Sequence, residues 1–264
     1  MNELRTIEQE GPGPLKVLAL FSGGASGARY LLEEPAGKTG NFEIVAGIGD
    51  ANDCSGIEVF ERRNLPVDVV CGDRTCEDRD EEKGSGKSYF ERLTNAVDSY
   101  EPDILLLSGF MRIVKDPLLS KYEGRIINVH PADLRLEEAG TRKYRGTDTV
   151  YRTIASGDEE TRSTVHIVTA GVDQGPILVV SEPVPINRNL VHTLMKFNKE
   201  TVRRYADVVQ EWMKWSCDGP AIQKCLSLIS NGKVGIRAGK VYLEGEKGFT
   251  KGYYDLKKDK IVSG

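Results

Sequence analysis

Two short stretches of the chain place acid–base groups at spacings that suit carbonyl chemistry. The first is Ile126-Ile127-Asn128-Val129-His130-Pro131. On an extended chain, residues two apart face the same side, so Asn128 and His130 project together. Asn offers a neutral N–H donor, and His a donor or proton carrier that titrates near neutrality. The pair suits an oxyanion developing on a carbonyl under attack. It equally suits a strand whose polar end is merely capped by Asn and His. The second stretch is Thr164-Val165-His166-Ile167-Val168-Thr169, followed by Asp173 and Gly175-Pro176. By the same alternation Thr164, His166 and Val168 share a face. Asp173 lies in a glycine-rich turn from which its carboxylate can reach a neighbouring loop. Beside His130 it would raise the imidazole pKa, favour the charged ring and relay a proton through water. Without that neighbour it would bond its own backbone.

A third stretch is Ser22-Gly23-Gly24-Ala25-Ser26-Gly27. It lacks the flanks of a nucleophile elbow and is neither a GxxxxGK[ST] loop nor a GxGxxG. A strand-to-helix turn of this kind presents free N–H groups and a helix N-terminus to a phosphate, or serves packing alone. His192, near a helix start, is given no role.

The elements that must carry these groups are legible as periodicity. Leu15 to Phe21 is a short apolar run ending in glycines, the mark of a buried parallel strand. Further strands are expected at Glu43 to Gly49, Val67 to Cys71, Ile104 to Ser108 and Ile126 to Val129. Helices are expected at Ala28 to Glu34, Ile57 to Asn64, Ser88 to Ser99 and Pro117 to Tyr122. This alternation predicts an α/β fold with a doubly wound, mostly parallel sheet, whose carboxyl-end crevice is where ligands bind. After Gly146 the pattern changes. Thr147 to Ser156 reads as helix. Ser163 to Thr169 and Ile177 to Val184 are strands too close for a crossover helix, hence antiparallel. Leu190 to Trp215 reads as one long helix, and Lys233 to Tyr254 as a terminal hairpin. Residues 1–13 read as a loose tail and 14–264 as a single domain. Asp73 to Lys87 reads as a charged surface loop.

Charged residues make up 29% of the chain and the net charge is −4, so no electrostatic case for nucleic-acid binding arises. No apolar run approaches the roughly 20 residues of a membrane span, and the first residues lack a secretory signal. A cytoplasmic protein, monomer or homodimer, is expected. Cys54, Cys71, Cys76, Cys217 and Cys225 match no metal-binding spacing. They read as reduced thiols, and no metal is expected.

Taken together, Ser22-Gly-Gly-Ala-Ser26, Ser108-Gly-Phe-Met-Arg112, Ile127-Asn-Val-His-Pro131 and Val165-His-Ile-Val-Thr169 with Asp173-Gln-Gly-Pro176 resemble the glycinamide ribonucleotide formyltransferases, a folate-dependent family. The resemblance runs from about Leu15 to about Gln210, and weakly through Ile229 to Tyr254. It implies a Rossmann-like formyltransferase fold, 10-formyltetrahydrofolate as co-substrate, and the amine of glycinamide ribonucleotide as acceptor in purine biosynthesis. It implies that Asn128 and His130 bind the formyl oxygen, and that Asp173 pairs with the histidine and assists proton transfer. Met111, Arg112, Ile113, Val114 and Val168 would form the folate pocket. Gly23, Gly24, Ala25, Ser26, Gly27, Pro131 and Glu200 would meet the phosphorylated acceptor, with His166 in support.

The chain also departs from the family. Gly24 and Gly27 stand where the family usually has Asn. Residues 134–140 intervene before Lys143-Tyr144-Arg145-Gly146, where the family reads Leu-Pro-x-Tyr-Pro-Gly. Tyr-Arg-Gly is closer to methionyl-tRNA formyltransferase. These departures bear on the acceptor, and the alternatives are an amino sugar nucleotide, methionyl-tRNA, or water in a formyltetrahydrofolate hydrolase.

Overall fold

Leu15–Phe21 is apolar at both parities apart from Lys16, and both faces of this strand are covered. Leu15, Val17, Ala19 and Phe21 pack into one core, and Leu18 and Leu20 into another. That is the burial expected of a central parallel strand between two helical layers. The computed structural model describes residues 3–7, 11–33, 40–72 and 88–264, so the charged loop expected at Asp73 to Lys87 lies outside the described residues.

Along the chain the strands are β1 (Arg5–Thr6), β2 (Leu15–Phe21), β3 (Phe42–Gly49), β4 (Val67–Val69), β5 (Ile104–Leu107) and β6 (Ile126–His130). A small hairpin, β7 (Glu137–Glu138) with β8 (Thr141–Arg142), follows. Then come β9 (Glu160–Thr161), β10 (Thr164–Ile167), β11 (Ile177–Val180), β12 (Val184–Pro185), β13 (Val234–Arg237), β14 (Lys240–Gly245), β15 (Gly248–Asp255) and β16 (Lys260–Ser263). The helices are α1 (Ser26–Glu33), α2 (Ile57–Glu61), α3 (Tyr89–Asp98), α4 (Leu118–Lys121), α5 (Thr149–Ala155), α6 (Arg188–Met195), α7 (Lys199–Met213) and α8 (Gly219–Ser230).

One mixed sheet runs in the order β1-β13-β14-β15-β11-β10-β6-β5-β2-β3-β4, with β16 on β15. β4, β3, β2, β5 and β6 are mutually parallel. β10 joins β6 antiparallel, and β11 joins β10 antiparallel, as their close spacing in sequence requires. The chain winds outward from β2 through β3 to β4 and then returns to β5 on the other side of β2. The crevice between the carboxyl ends of β2 and β5 is therefore the switch point of the doubly wound sheet. The glycine turn after β2 and the Ser108–Arg112 turn after β5 both open there. Close helix packing on this sheet depends on Gly47, because a Cβ there would come within 2.6 Å of the Phe60 ring.

Three expectations need correction. Arg5–Thr6 is not loose tail: it pairs with β13, and Ile7 is buried, because β13 would otherwise present an unpaired edge. The stretch from Leu190 to Trp215 is not one helix. It breaks between α6 and α7, where Asn198 adopts an extended conformation and its side chain accepts the Thr201 N–H at 2.9 Å. Asn competes with the helical backbone in this way, and so favours caps over helix interiors. Beyond Met213 the chain passes through a π-helical turn, Lys214–Asp218, into α8, a buried helix whose Gly-Pro start disguised it in the sequence. Finally, Cys71 is disulfide-bonded, a pairing that spacing could not reveal. Cys54, Cys217 and Cys225 are free, buried thiols.

Candidate active site

The register of β6 against β10 brings the two chemistry-bearing stretches together. Asn128 lies directly opposite His166, and His130 opposite Thr164. Cross-strand neighbours of this kind share a face at contact distance. A register shift between Val165 and His166 interrupts the regular pairing with β11 at this point, an irregularity of the kind that re-aims side chains. Beyond β10 the chain turns sharply through 171–175. Asp173 takes a left-handed conformation with φ 51°, which Asp tolerates. Gly175 is obligatory, because a Cβ there would fall 1.7 Å from the Ile167 carbonyl oxygen. The turn is thereby forced back over the strand ends, with Asp173 facing both histidines.

The resulting cluster is compact and nearly dry. His166 Nδ1 lies 2.9 Å from the Ile167 carbonyl, which can only accept. Its Nε2 lies 3.3 Å from the Asn128 amide nitrogen. His166 Nε2 is also 3.4 Å from Asp173 Oδ1. His130 Nε2 donates to the Tyr144 carbonyl at 2.8 Å, so in the neutral ring Nδ1 is bare. That nitrogen stands 3.5 Å from Asp173 Oδ2. The same oxygen accepts the Gly146 N–H at 2.8 Å, and Arg142 holds the Asp173 carbonyl at 2.6 Å.

Electrostatics then divide the roles. Burial pulls the His130 pKa down, and the Asp173 carboxylate only partly offsets it. The expectation that Asp173 keeps this ring charged is therefore corrected: desolvation of an imidazole that is 5% exposed outweighs one carboxylate at 3.5 Å. Burial also opposes ionisation of Asp173, but His166, His130 and the Gly146 N–H overcome it and hold the carboxyl below its ordinary range. At neutral pH the cluster is an ionised carboxylate facing a neutral imidazole that carries an open lone pair.

The other expected site residues fall in three places. Ser22 to Gly27 forms the turn at the switch point, with Ala25 at φ 48° and α1 starting at Ser26. Of the folate-pocket residues, Met111 and Ile113 are exposed, Val114 is buried in the core, and Val168 packs against the same core. Pro131 follows His130 directly, and its carbonyl accepts from Thr149. Glu200 is not brought to this cluster. It sits exposed in the first turn of α7 and pairs with Arg204.

Asp50 is a site residue that sequence reasoning missed. This buried carboxylate ends β3, accepts the Ser22 hydroxyl at 2.8 Å and pairs with Arg112 at 2.9 Å. Ser22 in turn accepts the Met111 N–H at 2.9 Å, and Arg112 lies over the Tyr89 ring. Asp50 thus ties the glycine turn to the Met111–Val114 segment. The available signal was its place at a strand's carboxyl end. Among the described residues no group of three His, Cys, Asp or Glu is placed to hold a metal ion, and no helix is long and apolar enough to cross a membrane.

Known proteins resemble this chain in sequence and in fold. The formyl transferase family matches residues 15–208. A phosphoribosylglycinamide formyltransferase of Mycobacterium tuberculosis is 32% identical over 66% of this chain and 72% of that protein. Among solved structures, glycinamide ribonucleotide transformylase 1 from Symbiobacterium toebii superposes with a TM-score of 0.66 at 23% identity, covering 87% of this chain and 94% of its own. The phosphoribosylglycinamide formyltransferase from Coxiella burnetii gives 0.65 at 25% identity, covering 90% and 96%.

Proposed function

The chain belongs to the formyl transferase family, and from that premise we propose that it moves the formyl group of 10-formyltetrahydrofolate to the amine of glycinamide ribonucleotide, in the cytoplasm. The observation that carries the reading is the contact of His130 Nδ1 with Asp173 beside Asn128. The amine nitrogen attacks the formyl carbon, and the carbonyl π electrons move to oxygen. Asn128 donates an amide N–H to that oxyanion. The bare Nδ1 of His130 takes the amine proton, and the imidazolium so formed is stabilised by ionised Asp173. Collapse of the tetrahedral species then expels tetrahydrofolate, whose nitrogen recovers the proton. On this reading the Met111–Val114 segment, with Val168 packed behind it, meets the folate. Gly23 to Gly27 offer backbone N–H groups to the acceptor phosphate, with Pro131 beside the reacting centre.

The test is incubation with both substrates and mass analysis of the product. Formylated glycinamide ribonucleotide is expected. Formate alone would point to hydrolysis and overturn the reading. Replacing Asn128, His130 or Asp173 singly with Ala should lower turnover roughly a hundredfold or more, on the scale of a lost oxyanion donor, with folding intact. A second reading keeps donor and transfer but changes the amine. Gly24 and Gly27 favour it, since they remove side-chain donors from the acceptor loop.

A further inference from the structure

The small hairpin after β6 builds a cavity of about 480 Å³ whose walls include Arg142, Lys143, Arg145, Arg152, Glu138 and Val172. Its cations are held in an unusual way. Arg152 spends its guanidinium on two backbone carbonyls, those of Arg145 and Lys143, at 2.7 and 2.8 Å. Arg142 likewise donates to the Asp173 carbonyl. Among the described residues the Arg145 side chain meets no carboxylate, and its charge works against that of Arg142, which burial already makes harder to keep. Lys143 pairs with Asp158 behind it at 3.1 Å, and Arg142 is partly offset by Asp173 and Glu137. Glu138 is the single carboxylate among the lining residues. Guanidinium groups anchored through carbonyls keep their positive charge, and converging ones repel unless an anion comes between them.

The cavity shares a wall with the reacting centre. Gly146 lines it and donates its N–H to Asp173, so a group bound there is one residue from that carboxylate. We propose that this cavity binds an anionic group, a phosphate or a carboxylate, carried by one of the two substrates. The inference rests on the reading of Asn128, His130 and Asp173 as the formyl-transfer centre. It places substrate recognition on the hairpin side of that centre, where the Arg142 and Arg145 guanidinium groups offer forked donors to a planar or tetrahedral anion.

Arg145 is the residue to change, because among the described residues its guanidinium makes no hydrogen bond or ion pair in the wall, and its loss leaves the backbone bonds of the segment in place. Calorimetric titration with pyrophosphate at low salt reads the cavity directly. Wild type should bind it, and Arg145→Gln and Arg145→Glu should weaken binding roughly tenfold or more, as for a lost charge-assisted hydrogen bond. Equal binding by wild type and both variants, each shown to melt like wild type, would overturn the proposal. Steady-state kinetics then identify the source. A rise in KM for the phosphorylated acceptor assigns the group to its phosphate. A rise in KM for the folate donor assigns it to the donor's carboxylates. If neither KM moves, the cavity takes an adventitious ion only and the proposal fails. Should wild type transfer no formyl group at all, the reaction reading falls, while the pyrophosphate titration still reports on the cavity.

Discussion

Two regions flank the catalytic cluster, and they are built on opposite principles. The glycine turn Ser22–Gly27 carries no charged side chain and is held by backbone and hydroxyl bonds. Gly56 N–H reaches the Gly23 carbonyl at 2.9 Å, and Ala28 N–H reaches Ser108 Oγ at 3.1 Å. What it can offer a ligand is peptide N–H groups at the start of α1. The hairpin segment from Glu137 to Gly146 offers guanidinium groups instead. It is rooted by a buried ionic network. Arg135 forks onto Asp133 at 2.8 and 2.6 Å and reaches Asp255 of β15 at 3.2 Å, while Arg162 lies 3.9 Å from both carboxylates. The difference teaches where side-chain charge sits in this chain. It is absent from the turn after β2 and concentrated beyond β6, next to Asp173.

The largest effect expected from this contrast is at the root of the hairpin. Asp133→Ala would leave Arg135 and the buried Arg162 short of a carboxylate. Breaking a buried pair by removing one partner costs about 3–5 kcal/mol, read as a loss of melting temperature. A cost near zero would mean that the network does not anchor the hairpin. On the opposite side, Asp50→Ala should be milder for stability but should raise KM for the folate donor roughly tenfold, the scale of charge-assisted hydrogen bonds lost, because Ser22, Met111 and Arg112 all depend on that carboxylate. An unchanged KM would separate the glycine turn from the Met111–Val114 segment.

Smaller still is the change expected at Gly24. It is exposed, has no left-handed backbone, and a Cβ there would meet only Ser55 Oγ at an ordinary 3.6 Å. Gly24→Asn should therefore alter stability by less than about 0.5 kcal/mol, as for a surface substitution. If the turn holds the acceptor phosphate, the restored amide should lower the acceptor KM several-fold. A raised KM would locate that phosphate elsewhere, and the cavity beside Arg145 is then the place to look.

How much of this was legible depends on whether the information is local. Strands β2, β3, β5 and β6 were readable because buried apolar runs that end at glycine or polar residues announce themselves. Asn128 and His130 could be placed on one face by the two-residue period alone. The position of His166 opposite Asn128 could not, since it depends on strand register, and register depends on the whole sheet. The same holds for Asp50, whose partners Ser22 and Arg112 lie far from it in sequence. Residues 134–140 were visible as an insertion, yet nothing local indicated that Tyr144 would cap His130 with its carbonyl. The helix break at Asn198 was missed for the opposite reason: its signal was local, but the apolar periodicity on either side masked it.

The subtlest difference between the two regions is electrostatic, and its sign can be worked out. Burial is the main force lowering the His130 pKa, Asp173 raises it, and Arg142 of the hairpin adds to the lowering. If neutral His130 is the base, kcat/KM should rise with pH through a value below the ordinary 6.5 and then level off. Arg142→Gln removes a cation that disfavours the imidazolium, so the ring should hold its proton to higher pH and the acid limb should move upward. Asp173→Asn removes the stabilising anion, so the limb of whatever activity remains should move downward. Gly24→Asn introduces no charge and lies on the other flank, so its limb should stay where wild type has it. A pH profile in which Arg142→Gln and Gly24→Asn coincide would show that the hairpin's charge does not reach the imidazole, and the division of labour between the two flanks would then be one of binding alone.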